Sequence, residues 1–84
     1  MANQNEIKSE SFIEFVANQF NRELSSITLE TSFREDLNAD SLDLVEFVFD
    51  SGQKFEVEVP DEVAENLNTV EDALRELNNL RQAA

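Results

Sequence analysis

Apolar residues recur at helical spacing in three stretches, separated by segments where the spacing breaks down. In residues 7–20, Ile13, Val16, Ala17 and Phe20 follow i, i+3, i+4, i+7, with Ile7, Phe12 and Phe15 nearby. That period predicts an amphipathic helix, with Ser9 or Ser11 available as its cap. Residues 21–39 lose the period. Leu24, Ile27, Leu29, Phe33 and Leu37 are scattered among turn formers such as Ser25, Thr28, Thr31 and Asn38. A long, partly structured loop pinned by apolar anchors is expected, and loops of that length are often functional.

From Asp40 onward the rows Leu42, Val45, Phe49 and Leu44, Val48 predict a second helix. Asp40 is a favoured N-cap, and Asp43 sits in the first turn, where negative charge is stabilised. Phe55-Glu56-Val57-Glu58-Val59 alternates like a strand. It has no partner strand and ends at Pro60, so it reads as extended loop. Residues 61–67 have room for one or two turns. Thr69-Val70-Glu71-Asp72 resembles a capping box, and Val70, Ala73, Leu74, Leu77 and Leu80 form the apolar face of a last helix. The expected fold class is all-α: a small four-helix bundle with three main helices, a short third one, and a long loop between helices one and two.

Composition narrows the function. The chain has 84 residues and a formal net charge of -13, with neither Cys nor His. One domain spanning 1–84 is expected, with an ordered core over about 7–80 and short tails. Without Cys or His, Ser–His–Asp and Cys–His hydrolases and Cys/His zinc sites are excluded. Few Lys or Arg are available to neutralise phosphates, so no nucleic-acid partner is expected. No apolar run is long enough to span a membrane. The N-terminus Met1-Ala2-Asn3-Gln4-Asn5-Glu6 has no basic start and no hydrophobic stretch. It does not read as a signal peptide, so a cytoplasmic location is the expectation. A processed organellar protein would look the same.

The segment with chemical content is Phe33-Arg34-Glu35-Asp36-Leu37-Asn38-Ala39-Asp40-Ser41-Leu42-Asp43. It puts Ser41 in the first turn of a helix, directly after the long loop. Unpaired N–H groups and about half a positive charge at a helix start favour a phosphate there. Acidic residues dominate positions 40–65, with Lys54 the lone base. The region therefore suits a phosphate ester on Ser41 and a positively charged partner.

This segment closely resembles the acyl carrier proteins of fatty-acid and polyketide synthesis. The resemblance continues through Val45-Glu46-Phe47, residues 55–62 and Thr69-Val70-Glu71-Asp72-Ala73, and so covers nearly the whole chain. It implies a four-helix bundle with 4'-phosphopantetheine, taken from coenzyme A by a phosphopantetheinyl transferase, esterified to Ser41. Asp40 and Leu42 flank that attachment site. The arm's thiol would hold acyl groups as thioesters, making the protein a covalent carrier acted on by enzymes rather than an enzyme. The resemblance also implies that Asp43, Glu46, Phe49, Val59 and Glu65 meet acyl-loading and synthase enzymes through basic docking patches. It implies that Phe33, Val45, Val48 and Val70 shelter the acyl chain, and that the carrier is a monomer. Each residue also has a plainer role: Ser41 as a first-turn serine, Asp40 as a structural cap, the apolar residues as core and the acids as a solvated face.

Two features depart from the family pattern or point elsewhere. Asp50 and Ser51 stand where apolar residues are usual, and Gly52-Gln53-Lys54 where acids usually extend the docking face. Gly52 costs a helix interior about 1 kcal/mol relative to Ala. These residues predict a second helix frayed, kinked or ended near Ser51, a partner footprint shifted toward its N-terminal half, and a specialised carrier. The alternatives are an acyl-carrier-like structural subunit and a calcium module. Asp36, Asn38 and Asp40 match the first, third and fifth ligands of an EF-hand loop, but Ser41 and Phe47 occupy positions that need Gly and Glu.

Overall fold

The computed structural model describes residues 6–83. Met1 to Asn5 and Ala84, which belong to the expected tails, lie outside the described residues. Three α-helices make the frame: α1 (Ser9–Gln19), α2 (Ser41–Phe55) and α3 (Val70–Ala83). A 3-10 helix at Asp61–Asn66 is the expected short third helix, and a single 3-10 turn at Leu24–Ser26 sits inside the long loop. Among the described residues no strand forms, and one isolated bridge joins Ser32 to Thr69. This is the all-α bundle that the periodicity predicts.

The core is built largely from phenylalanine. Phe47 on α2 lies 5.0 Å from Phe33, 5.7 Å from Phe15 and Phe20, and 5.9 Å from Phe12, between ring centres. Such tilted and edge-on pairs add about 0.5–1.5 kcal/mol each beyond their area. The buried stripe of α1 holds Val16 and Ala17 as the periodicity suggests, with Phe12 in place of Ile13, which is half-buried. Phe12 takes the centre because its ring meets both Phe47 and Phe55.

Neither Ser9 nor Ser11 caps α1. Its N-cap is Lys8, in extended conformation and without a side-chain cap bond. The entry to α1 is held by a tertiary contact instead: Ile7 N–H donates to Asn78 Oδ1 at 2.6 Å, and Asn78 Nδ2 donates to Ile7 O at 3.2 Å. The capping box expected before α3 does form. Thr69 N–H donates to Asp72 Oδ2 and Asp72 N–H to Thr69 Oγ1. The remaining first-turn donors of α3 go to the long loop, Val70 N–H to Thr31 O at 3.0 Å and Glu71 N–H to Leu29 O at 2.9 Å. A helix start leaves four such groups unpaired; here the capping box meets two and the loop the other two.

The second helix does not end near Ser51. It runs unbroken to Phe55 and closes at Glu56, which is left-handed at φ 59°. Three of the five unusual residues, Asp50, Ser51 and Gly52, have a tertiary or backbone partner. Gln19 Nε2 donates to Asp50 Oδ2 at 2.7 Å, and the buried Ser51 Oγ donates to Val48 O at 2.9 Å. At Gly52 an added Cβ would lie 2.7 Å from Val57 O, closer than real carbon–oxygen contacts come. Glycine lets the chain leaving α2 fold back against the helix, where Val57 N–H bonds Gly52 O at 2.9 Å. Arg81 from α3 donates to Phe55 O and secures the same end. The predicted shift of the partner footprint loses the support of a shortened helix and rests on Gly52-Gln53-Lys54 standing where acids are usual.

Candidate functional site

Ser41 is the first residue of α2 and is exposed. Asp40 Oδ1 accepts from Asp43 N–H at 2.8 Å, and Asp40 N–H donates to Asp43 Oδ2 at 3.1 Å. This reciprocal box fixes the helix start through the two carboxylates. Among the described residues, Ser41 Oγ makes no hydrogen bond, so its hydroxyl is free for chemistry.

The loop before Ser41 is rigidly built. Asp36 Oδ2 accepts from Ser32 N–H at 2.8 Å, and Ala39 N–H donates to Phe33 O at 2.9 Å. Asn38 takes the left-handed conformation at φ 57°, which Asn tolerates well. Leu37 and Ala39 are buried. Arg22, just past α1, donates from Nη1 to Asp36 O at 3.3 Å and from Nη2 to Leu37 O at 3.2 Å. Spacing along the chain offered no sign of this clip.

A groove of about 310 Å³ opens beside Ser41, lined by Arg34, Val45, Ala64 and Glu65. It lies between α2 and the Asp61–Asn66 helix, and Arg34 and Ala64 were not singled out from the sequence. Along the outer face of α2, Leu42 is 73% exposed, Val45 43% and Phe49 65%. Their spacing of three, four and seven puts them on one side of the helix, with Asp43 and Glu46, also exposed, adjoining. Glu65 is exposed on the neighbouring 3-10 helix, whereas Val59 is half-buried. A second groove of about 320 Å³, with Phe49, Gly52, Val57 and Val59 in its wall, lies at the far end of α2.

The four residues expected to shelter an acyl chain separate into two pairs. Val45 lines the Ser41 groove. Val48 lines a small interior cavity of about 10 Å³ that also touches Ser51, Val63, Leu67 and Leu77. Phe33 and Val70 are fully buried in the core. Ser51, Val63, Leu67 and Leu77 were missed as cavity residues because periodicity marks buried faces without telling a void from a filled core.

Among the described residues, no three His, Asp or Glu side chains gather to hold a metal ion. Asp36 and Asp40 both accept backbone N–H groups. No described helix is long and apolar enough to cross a membrane.

An exposed serine opening a capped helix, beside a groove in a small acidic bundle, fits the covalent carrier that the motif resembles. Comparison with known proteins identifies which kind. A family model for the phosphopantetheine attachment site matches residues 10–77. The chain is 48% identical over 77 residues to the acyl carrier protein of Thermosynechococcus vestitus, covering 92% of this chain and 94% of that protein. It is 49% identical over 61 residues to the acyl carrier protein of Rubrobacter xylanophilus, covering 73% and 75%. Among solved structures, it is similar to the actinorhodin holo acyl carrier protein of S. coelicolor, at TM-score 0.75 and 25% identity over 100% of this chain and 99% of that one. The chain belongs to the acyl carrier protein family and takes a covalently attached 4'-phosphopantetheine. Members of this family are carriers and not enzymes, and the similarities support that reading over a calcium module.

Proposed function

We propose that Ser41 carries the arm and that this protein conveys acyl groups between the enzymes of fatty-acid or polyketide-type synthesis. The observation that carries this is the free, exposed Ser41 hydroxyl at the capped start of α2, inside the matched segment. When bound, the phosphopantetheine supplies the thiol that holds acyl groups as thioesters. The protein's part is positional. Asp40 and Asp43 hold the helix start, the Arg22 clip fixes the preceding loop, and Ser41 Oγ stands clear as acceptor. The transferase supplies base and metal.

The exposed Leu42 and Phe49, flanked by Asp43, Glu46 and Glu65, form the face offered to partners, with Val59 beneath its far end. Partners with Lys and Arg around an apolar spot suit it, and charges of this kind govern association rate and salt dependence more than affinity. An acyl chain withdraws along Val45 and Val48 between α2, the 3-10 helix and α3, with Phe33 and Val70 as the packing behind. The interior cavity is at the limit for a single water, so entry must part these helices. The single domain works as a monomer in the cytoplasm; the relatives named above are bacterial.

Intact mass is measured before and after incubation with coenzyme A, magnesium and a broad-specificity transferase, beside Ser41→Ala. One added phosphopantetheine, absent in the folded variant, is expected. Modification of the variant, or none of the wild type with its host transferase, overturns the assignment.

A further inference from the structure

The interior cavity contains one polar side chain in an otherwise apolar wall. Ser51 is 1% exposed and lines the cavity with Val48, Val63, Leu67 and Leu77. Its Oγ donates to Val48 O at 2.9 Å, the ordinary back-bond of a serine in a helix. A hydroxyl also has two acceptor sites, and among the described residues nothing donates to this one. That oxygen is buried with the hydroxyl paired only as a donor, and its residue lines the space that the proposed acyl route enters.

Ser51 is also on the route from Ser41. The positions Ser41, Val45, Val48 and Ser51 stand at i, i+4, i+7 and i+10, one inward-trending row on α2. Ten residues of helix separate the ends by about 15 Å. Val45 belongs to the groove beside Ser41 and Val48 to the cavity, so the row joins the two.

We infer that Ser51 is a specificity-determining residue that makes the cavity favour acyl chains bearing a hydroxyl over saturated or keto chains of equal length. This deepens the proposed function and rests on it. The guest hydroxyl donates to Ser51 Oγ, while the serine proton stays on Val48 O. A saturated chain leaves the acceptor unmet, and a keto group brings only another acceptor. A net hydrogen bond of this kind is worth about a threefold to tenfold preference.

The test loads octanoyl, 3-oxooctanoyl, 3-hydroxyoctanoyl and 7-hydroxyoctanoyl pantetheine arms from their coenzyme A esters, with loading at Ser41 verified by mass. Thioester cleavage by hydroxylamine is then timed, each rate divided by that of the same acyl group on free pantetheine. At least one hydroxylated chain should be protected about threefold or more over octanoyl in the wild type. Ser51→Ala should erase that preference while still protecting octanoyl, and Ser51→Thr, which retains the hydroxyl, should keep it. Equal protection of all chains, or a preference surviving in Ser51→Ala, overturns this inference and leaves the carrier function intact. Failure to load at Ser41 overturns both.

Discussion

Replacing Gly52 with alanine sets two effects against each other. In a helix interior alanine is favoured over glycine by about 1 kcal/mol, so from spacing alone the substitution should stabilise α2. The tertiary contact argues the reverse. The new Cβ would lie 2.7 Å from the carbonyl oxygen of Val57 and 3.4 Å from Val59 Cγ2. The nearer neighbour is backbone and cannot rotate aside, so the turn after Phe55 must retreat. Retreat lengthens the 2.9 Å bond from Val57 N–H to Gly52 O, costing about 1 kcal/mol. Overpacking against Val59 and the turn costs about 1–3 kcal/mol more. Net destabilisation of about 1–3 kcal/mol is expected. For a domain this size each kcal/mol moves Tm by about 4–8 °C, so a fall of about 5 °C or more should appear in thermal denaturation followed by circular dichroism. Gln53→Ala, at an exposed neighbouring site, serves as control and should change stability by less than about 0.5 kcal/mol. A Gly52→Ala protein as stable as the wild type, or more so, would refute the claim that glycine is required by the returning chain.

Four other outcomes are expected. Glu56→Gly should raise stability by about 0.5–1 kcal/mol in a urea titration, because Glu56 ends α2 in a conformation glycine adopts freely; Glu56→Ala removes the same charge and should not match that gain. Phe47→Ala should cost about 3–5 kcal/mol, a large share of a small domain's stability, and a cooperative melt near the wild-type temperature would contradict the central place given to that ring. The Thr69 backbone N–H, aided by Arg75 and opposed by some burial, holds the Asp72 carboxyl below the usual carboxylate range. A lowered folded value means that this support is present above the unfolded pKa of about 3.9 and fades as pH falls through the folded one, so Asp72→Asn should flatten the acid limb of the stability curve. Self-repulsion at -13 should make the melting temperature climb with sodium chloride or magnesium at low ionic strength, and a salt-independent Tm would show that repulsion to be minor.

Much of the site was legible in the chain because its determinants are local. Asp40 and Asp43 are three residues apart, and a capping box needs nothing else. Thr69 and Asp72 follow the same rule before α3. The exposed row on α2 follows from helical period once the inner row of Leu44, Phe47 and Val48 is buried. The Arg22 clip was not legible, because an arginine bonded to loop carbonyls fourteen and fifteen residues away leaves no periodic trace. The cap of α1 failed for a related reason: Asn78, seventy-one positions from Ile7, does the work that Ser9 or Ser11 was expected to do.

By itself, then, the sequence determined the helices, the long loop and the serine that opens α2, since periodicity, capping and a motif within eleven residues act over a turn or two of chain. Only the tertiary structure decided what Asp50, Ser51 and Gly52 mean. Read along the chain, a charge, a hydroxyl and a glycine weaken a helix. In the folded protein Asp50 meets Gln19 of α1, Ser51 turns its hydroxyl to Val48 O at the wall of the cavity, and Gly52 admits the carbonyl of Val57. The cost of a polar or small residue depends on what stands opposite it, and packing from outside the helix sets that for Asp50 and Gly52 and seals Ser51 from water.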